Sequence, residues 1–417
     1  MLYTIWLSLA CVPGSEAFGK LNSRFPTAEA VYRADDEAIA ACISSKSRDY
    51  NSLIDKDTSR AEEVLNFCTS KNVGILTYYD QRYPKALKDI KNPPVLLYYR
   101  GSLPDFNSDF FISIVGTRHL TDYGRKNTFA ISADLATAGA VVVSGMAIGI
   151  DGVAHAGALS ANGKTVAIIG SGIDVCYPAQ HKRLAREIVK CGCVMTEYAP
   201  GTKPDKHNFP TRNRIISGLS SATLVMEGRE RSGALITAHH AKEQGRAVYA
   251  FPGNVGNSAS EASNLLIKSG AKLFTSADDV VMDFELKSSG KLNPFMLRKS
   301  SHMEMSAVLR ELEVACVAPS DEVFKTPRAK KESPPTQEEV VKQQQDELKD
   351  PEADVSAAGF DKNILALYKK IPLNSECSID ELVDDVHSLR SVMQGLLQLE
   401  IARFVTMLPG DRVKRNL

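Results

Sequence analysis

From Phe110 onward the chain alternates continuous apolar, β-rich runs with amphipathic stretches, and this alternation constrains the fold more than any other feature. The runs are Phe110–Val115, Val141–Ser144, Thr165–Ile169, Cys193–Thr196, Ala222–Met226 and Ala247–Phe251. Between them Tyr123–Ala138, Ala179–Lys190, Ala234–Gln244 and Ser260–Ser269 carry helical periodicity. A strand exposed on one face would alternate polar with apolar residues, so unbroken apolar strands require cover on both faces. The expected fold class is therefore α/β, an extended, Rossmann-like, doubly wound and mainly parallel sheet. Ligands of such sheets sit beyond the carboxyl ends of the strands.

The flanks differ in composition. At ~150 residues per domain, 417 residues leave room for more than the sheet. Residues 1–72 read as a small helical domain of the SAM or helix-hairpin-helix type, and 73–290 as the Rossmann-like domain. Residues 291–355 read as a linker, disordered from about 319, because runs such as Lys330-Lys-Glu-Ser-Pro-Pro335 and Gln343-Gln-Gln345 bury too little apolar surface to offset ordering. Within 356–417, helical patterns at Lys362–Lys370, Ser378–Val386 and Leu389–Leu399 precede a potential hairpin, Arg403–Val413. That order fits a winged helix, with Ser378 and Glu381 spaced as a capping box. Its last helix is poor in basic residues and the one before it carries Asp380, Glu381, Asp384 and Asp385, so little DNA affinity is expected from this module.

The start, Met1–Cys11, is apolar, but its first basic residue is Lys20, so it does not read as a secretory signal. No stretch approaches the ~20 apolar residues of a membrane span. The eight cysteines contain no C-x-x-C pair. A cytoplasmic setting with no membrane, metal or cofactor is expected.

Enzyme motifs thin out on inspection. Gly163-Lys164-Thr165 lacks the first glycine of a phosphate loop, since Ala158 stands there, and it precedes a strand rather than following one. Gly170-Ser-Gly172 follows a strand, yet Val175 replaces the third glycine of a dinucleotide fingerprint. Asp151 and His155 lie one helical turn apart but without a third ligand, which favours a helix-capping aspartate and a packed or surface histidine over a metal pair.

What remains are glycine-rich strand ends. Gly116, Thr117 and Arg118 close one strand, and Ser144 and Gly145 close the next. Such loops either permit tight turns or present backbone N–H groups to an anion, with Arg118 as a bidentate phosphate partner. The segment Lys203-Pro-Asp-Lys206-His-Asn-Phe209-Pro-Thr-Arg212-Asn213 adds cations around an aromatic placed in a loop. Between Gly201 and Arg246 eight Lys/Arg face four acids, a local net of +4, whereas Asp321–Asp354 carries −4. The chain's overall balance of 50 basic and 50 acidic residues hides both. Phe209 either stacks on a nucleic-acid base or staples its loop to the next helix.

In this order, Val115-Gly-Thr-Arg-His-Leu-Thr-Asp-Tyr-Gly124, Ser144-Gly-Met-Ala-Ile-Gly-Ile-Asp-Gly152, Phe209-Pro-Thr-Arg-Asn-Arg-Ile-Ile-Ser-Gly218, Ser232-Gly-Ala-Leu-Ile-Thr-Ala238 and Phe251-Pro-Gly253 resemble the DNA-processing family called DprA or Smf. The resemblance spans about Val73 to Val281. It implies sequence-independent binding and protection of single-stranded DNA, self-association as a homodimer, and loading of the RecA recombinase in natural transformation or homologous recombination, without enzymatic activity. It further implies DNA contacts at Gly116, Thr117, Arg118, Ser144, Gly145, Lys203 or Lys206, Phe209, Arg212 and Asn213. Ile148 departs from the family pattern where an arginine is common, removing one phosphate contact. Leu265, Leu266 and Ile267 are a self-association surface or simple core. The rival reading is a nucleotide-derivative-binding or -hydrolysing enzyme of the lysine-decarboxylase-like Rossmann group. Against it, Glu227-Gly-Arg-Glu-Arg-Ser-Gly233 lacks that group's paired glycines.

Overall fold

The computed structural model describes residues 1–230, 232–285, 288, 290–299, 304–316, 362–372, 377–383, 389–401, 404–408 and 412–415. These form two units, divided at Phe324. In the first, six short helices, α1 (Leu2–Ala10), α2 (Ala17–Asn22), α3 (Ala28–Arg33), α4 (Asp36–Ala40), α5 (Arg48–Ile54) and α6 (Ser59–Ser70), precede the sheet. The alternating part then runs β1 (Gly74–Thr77), α7 (Lys85–Lys88), β2 (Leu96–Gly101), β3 (Phe110–Val115), α8 (Asp122–Thr137), β4 (Ala140–Ser144), α9 (Ile150–Ser160) and β5 (Thr165–Ile168). It continues through α10 (Lys182–Cys191), β6 (Cys193–Thr196), α11 (Asn208–Leu219), β7 (Ala222–Val225), α12 (Gly233–Glu243), β8 (Ala247–Ala250), α13 (Glu261–Lys268), β9 (Lys272–Leu273), α14 (Ala277–Phe284) and α15 (Met305–Glu311).

The nine strands lie in the order β1-β2-β6-β5-β4-β3-β7-β8-β9. From β6 to β9 every pair is parallel, while β2 is antiparallel to both β6 and β1. Taken from β3, the segment β5-β4-β3-β7-β8-β9 has the doubly wound Rossmann order, with its switch point between β3 and β7. The remaining strands extend it into the expected larger sheet. The six strands expected from the apolar runs appear within one residue of their expected ends. Strands β1, β2 and β9 lie outside those runs: β1 and β9 form the two edges, and β2 pairs with both β1 and β6.

Burial on both faces is visible residue by residue. Val141 and Val143 pack with Ile215, Ile216 and Ala238 of α11 and α12. Val142, between them, packs with Leu135 and Ala154 of α8 and α9. The N-terminal helices share a third cluster with α10, in which Ile5, Leu7 and Leu21 join Leu184 and Ile188. They therefore sit on the sheet's own cover within one unit.

Residues 304–316, assigned by composition to the linker, are folded. Met305, Val308, Leu309 and Leu312 recur at helical spacing and join the cluster under α10. The expected disordered stretch from 319 to 355 lies outside the described residues. In the second unit, α16 (Lys362–Lys370) and α17 (Leu389–Ile401) accompany a three-stranded antiparallel sheet of β10 (Cys377–Ser378), β11 (Val405–Leu408) and β12 (Arg412–Arg415), ordered β10-β12-β11. The expected terminal hairpin is the pair β11 and β12. Of the helix expected at Ser378–Val386, a single 3-10 turn, Ile379–Leu382, is described; Asp384–Val386 lie outside the described residues.

Candidate nucleic-acid interface

At the switch point the loops after β3 and β7 are tied together, with the Thr117 N–H donating to the Glu227 carbonyl at 2.8 Å. The loop after β4 closes on the same place, as the Ile150 N–H donates to the Thr117 carbonyl at 3.1 Å. Two glycines make this approach possible. A Cβ at Gly116 would stand 2.5 Å from Ile150 Cγ1, and Gly149, at φ +87°, would drive one into the Thr117 carbonyl.

The Glu227 side chain, which the sequence reading has only as one acid in a local count and as the start of the Glu227–Gly233 segment without paired glycines, is buried at the amino end of α8. Its carboxylate accepts from the Thr121 N–H at 2.9 Å and the Thr121 hydroxyl at 2.5 Å, and Thr121 in turn caps the helix through the Gly124 N–H at 3.1 Å. A side chain at Gly124 would collide with that carboxylate. The protein's own anion therefore occupies the helix terminus after β3, the place where a doubly wound fold otherwise receives a pyrophosphate.

Phe209 lies in the first turn of α11 rather than in a loop. Pro210 follows it in the first turn, where the helix needs no backbone donor, so the proline is tolerated there. The Phe209 ring is half-buried against Tyr177, centroids 5.6 Å apart, and the Arg118 guanidinium sits 5.2 Å from its centroid. Gly170 makes room for the ring from below, since a Cβ there would lie 3.0 Å from it. Arg118, Lys203 and Lys206 are exposed. None of the three makes an ion pair among the described residues. Half-buried Thr117 lies beside Arg118, its hydroxyl accepting from the His119 N–H at 3.1 Å.

The remaining expected contact residues form the floor of this rim. Ser144 is fully buried and its hydroxyl donates to the Ile114 carbonyl at 2.6 Å. Arg212 is buried too, donating to the Gly145 carbonyl at 2.8 Å and to the Ile168 carbonyl. A Cβ on Gly145 would lie 2.6 Å from both Arg212 Nη2 and Asp151 Oδ2, so this glycine lets the two charged groups flank it. Burial pushes the Arg212 guanidinium down to about 10, with Asp151 opposing and Arg118 adding to the shift. Burial also raises the Asp151 carboxyl, which Arg212 partly offsets. Asn213 is half-buried, accepting from Arg212 Nε at 3.2 Å and donating to the Gly233 carbonyl at 3.4 Å. The structure thus brings Gly116, Thr117, Arg118 and Phe209 together at the rim over a floor of Ser144, Gly145 and Arg212. It places Lys203 and Lys206 in the loop leading into α11. Leu265 is exposed on α13, Leu266 packs inward against the sheet, and Ile267 is half-buried.

His155 is a packed core histidine, and no group of metal-ligating side chains occurs among the described residues. Its Nδ1 donates to Thr165 Oγ1 at 2.7 Å, because that hydroxyl already donates to the Val142 carbonyl, and Nε2 has no partner. Burial pushes its pKa down to about 3. Below an ordinary 6.5 the unfolded chain takes up a proton that the folded protein refuses. Stability from this site is therefore full above pH 6.5 and lost as the pH falls toward 3. Relative to His155→Gln, wild-type urea stability should lose up to ~1.4 kcal/mol per pH unit in that window. Parallel pH profiles for the two proteins would refute this reading.

Fold and site together define a class: an extended Rossmann-like α/β protein whose switch-point rim is basic and aromatic and whose helix terminus after β3 is occupied by its own carboxylate. The profile of the family "DNA recombination-mediator protein A" matches residues 74–285. The chain belongs to this family of DNA-processing proteins. Protein Smf of Synechocystis is 35% identical over 350 residues, 83% of this chain and 81% of that one. DNA processing protein DprA of Bacillus subtilis is 38% identical over 232 residues, 56% of this chain and 78% of that protein. The crystal structure of DprA from Streptococcus pneumoniae superposes with a TM-score of 0.60 at 34% identity, covering 68% of this chain and 98% of that one.

Proposed function

We propose that this protein binds single-stranded DNA without sequence preference along the switch-point rim and, as a self-associating mediator, loads the RecA recombinase onto the strand. The observation that carries the DNA reading is the Arg118–Phe209 pair, a guanidinium 5.2 Å from the centroid of a half-exposed ring, flanked by exposed Lys203 and Lys206. A ring accepts any base that has left its stack, and the cations track the backbone, so single strands are favoured over duplex and sequence matters little. Thr117 and the backbone at Gly116 line the phosphate path; Ser144, Gly145, Arg212 and Asn213 shape its floor. The Glu227 carboxylate on α8 argues against the rival nucleotide-hydrolysing reading. Fluorescence anisotropy with labelled oligo-dT, competed by mixed-sequence single strands and by duplex, tests the proposal. Equal competition by both single strands and weak competition by duplex is expected; preferential competition by duplex would defeat it.

For self-association we favour the edge formed by α13 and β9, where Leu265 and Leu273 are both exposed beside a two-residue edge strand. Leu265→Glu should convert a dimer to a monomer in light scattering without lowering thermal stability. A dimer that persists would move the interface elsewhere. The second unit, with its helices and small sheet, suits protein contact better than DNA, given the acidic residues between α16 and α17.

A further inference from the structure

Behind the rim lies a separate cavity of about 390 Å³, in the range of sites for small ligands. Its apolar lining includes Met146 and Ile169 from just past β4 and β5, Ile173 from the loop after β5, Val194 of β6 and Phe67 of α6. Four cations also line it, Lys71, Lys182 and Arg186 exposed and Arg100 half-buried. None of these makes an ion pair among the described residues. Arg100 Nε is buried and has no hydrogen-bond partner. The one carboxylate present, Asp174, is engaged by the Gly201 N–H at 2.8 Å. The loop Gly170–Cys176 divides this cavity from the rim, with Gly170 against Phe209 on one side and Ile173, Val175 and Cys176 lining the cavity on the other.

A largely apolar cavity with an aromatic residue and four cations without ion pairs in its lining suits a ligand with a flat, weakly polar body and an anionic group. We propose that the cavity is a second nucleotide site, taking a nucleobase against Phe67 and its phosphate among Arg100, Lys182, Lys71 and Arg186. The nucleotide is either free or the 5′-terminal residue of a strand. The assignment is independent of the rim, because it uses none of the rim's side chains.

Calorimetric titration of the full chain with thymidine monophosphate, and with thymidine as control, tests it. Thymidine monophosphate should bind and thymidine should bind at least tenfold more weakly. Arg100→Met and Lys182→Met should each weaken the nucleotide by roughly tenfold, as expected for loss of a charged hydrogen bond. Phe209→Ala should leave it unchanged. A 5′-phosphate that tightens oligo-dT binding in wild type but not in Lys182→Met identifies a strand end as the occupant; a 5′-phosphate without effect identifies the free nucleotide. No binding of thymidine monophosphate, equal binding of thymidine, or loss of binding in Phe209→Ala alone would overturn the proposal. Failure of the rim reading would appear instead as absent oligo-dT binding with the nucleotide titration intact.

Discussion

Phe209→Ala should weaken oligo-dT binding by roughly 5- to 150-fold, the span set by ~1–3 kcal/mol for one base stacked on one aromatic ring. The ring is held in the first turn of α11, backed by Tyr177 and seated over Gly170, so it meets a base without first being ordered. The substitution removes no charge, and the salt dependence of binding should stay nearly constant. It also deprives Arg118 of its packing partner at 5.2 Å, so part of the loss comes from a guanidinium freed to other rotamers. Tryptophan at this position should preserve binding. A Phe209→Ala protein within twofold of wild type would return the ring to the role of a helix staple.

The second large effect is on stability and reaches the same helix. Glu197, just past β6, makes a fork with Arg214 of α11: Arg214 Nη2 lies 2.6 and 2.7 Å from the two carboxylate oxygens, and both side chains are 8% exposed. Burial raises the Glu197 carboxyl while Arg214 pulls it back down. Arg214 Nε and Nη1 are buried without partners, so the guanidinium already depends on this one carboxylate. Glu197→Ala leaves a buried, uncompensated cation and should cost ~3–5 kcal/mol in urea denaturation. The double change Glu197→Leu with Arg214→Met should recover most of that loss, because the desolvation cost disappears with the pair. A single-mutant cost below about 1 kcal/mol would mean that the pair is solvated in solution. The pair anchors α11, and hence Phe209 and Arg212, to the end of β6.

Much of this arrangement was legible in the residues. The central strands announce themselves because burial on both faces leaves only apolar residues, as at Ala222–Val225. The loops that meet at the switch point are marked by Gly116 and Gly149, where close approach excludes a side chain. What sequence could not show is which charged groups turn inward. Arg212 and Arg118 look alike in a count of cations, yet one is committed to the Gly145 and Ile168 carbonyls and the other is exposed. That difference arises from strand ends that converge only after folding. Glu227 is a similar case: in the sequence it figures as one acid among basic neighbours and as part of a segment lacking paired glycines, and its role follows from its contact with Thr121, 106 residues earlier. The local signal that could have found its partner is a capping threonine, Thr121, followed by Gly124 at the start of α8. Phe209 was misplaced in a loop because Pro210 reads as a breaker, although a proline in the first turn is compatible with a helix.

The central claim is that exposed cations at the switch-point rim hold the backbone of a single strand. Oligo-dT affinity measured across salt for wild type and Arg118→Ala tests it most directly. The account predicts a steep negative slope of log affinity against log salt in wild type, shallower by about 0.7 in Arg118→Ala as one phosphate contact is lost. Salt-independent binding, or identical slopes in the two proteins, would contradict it.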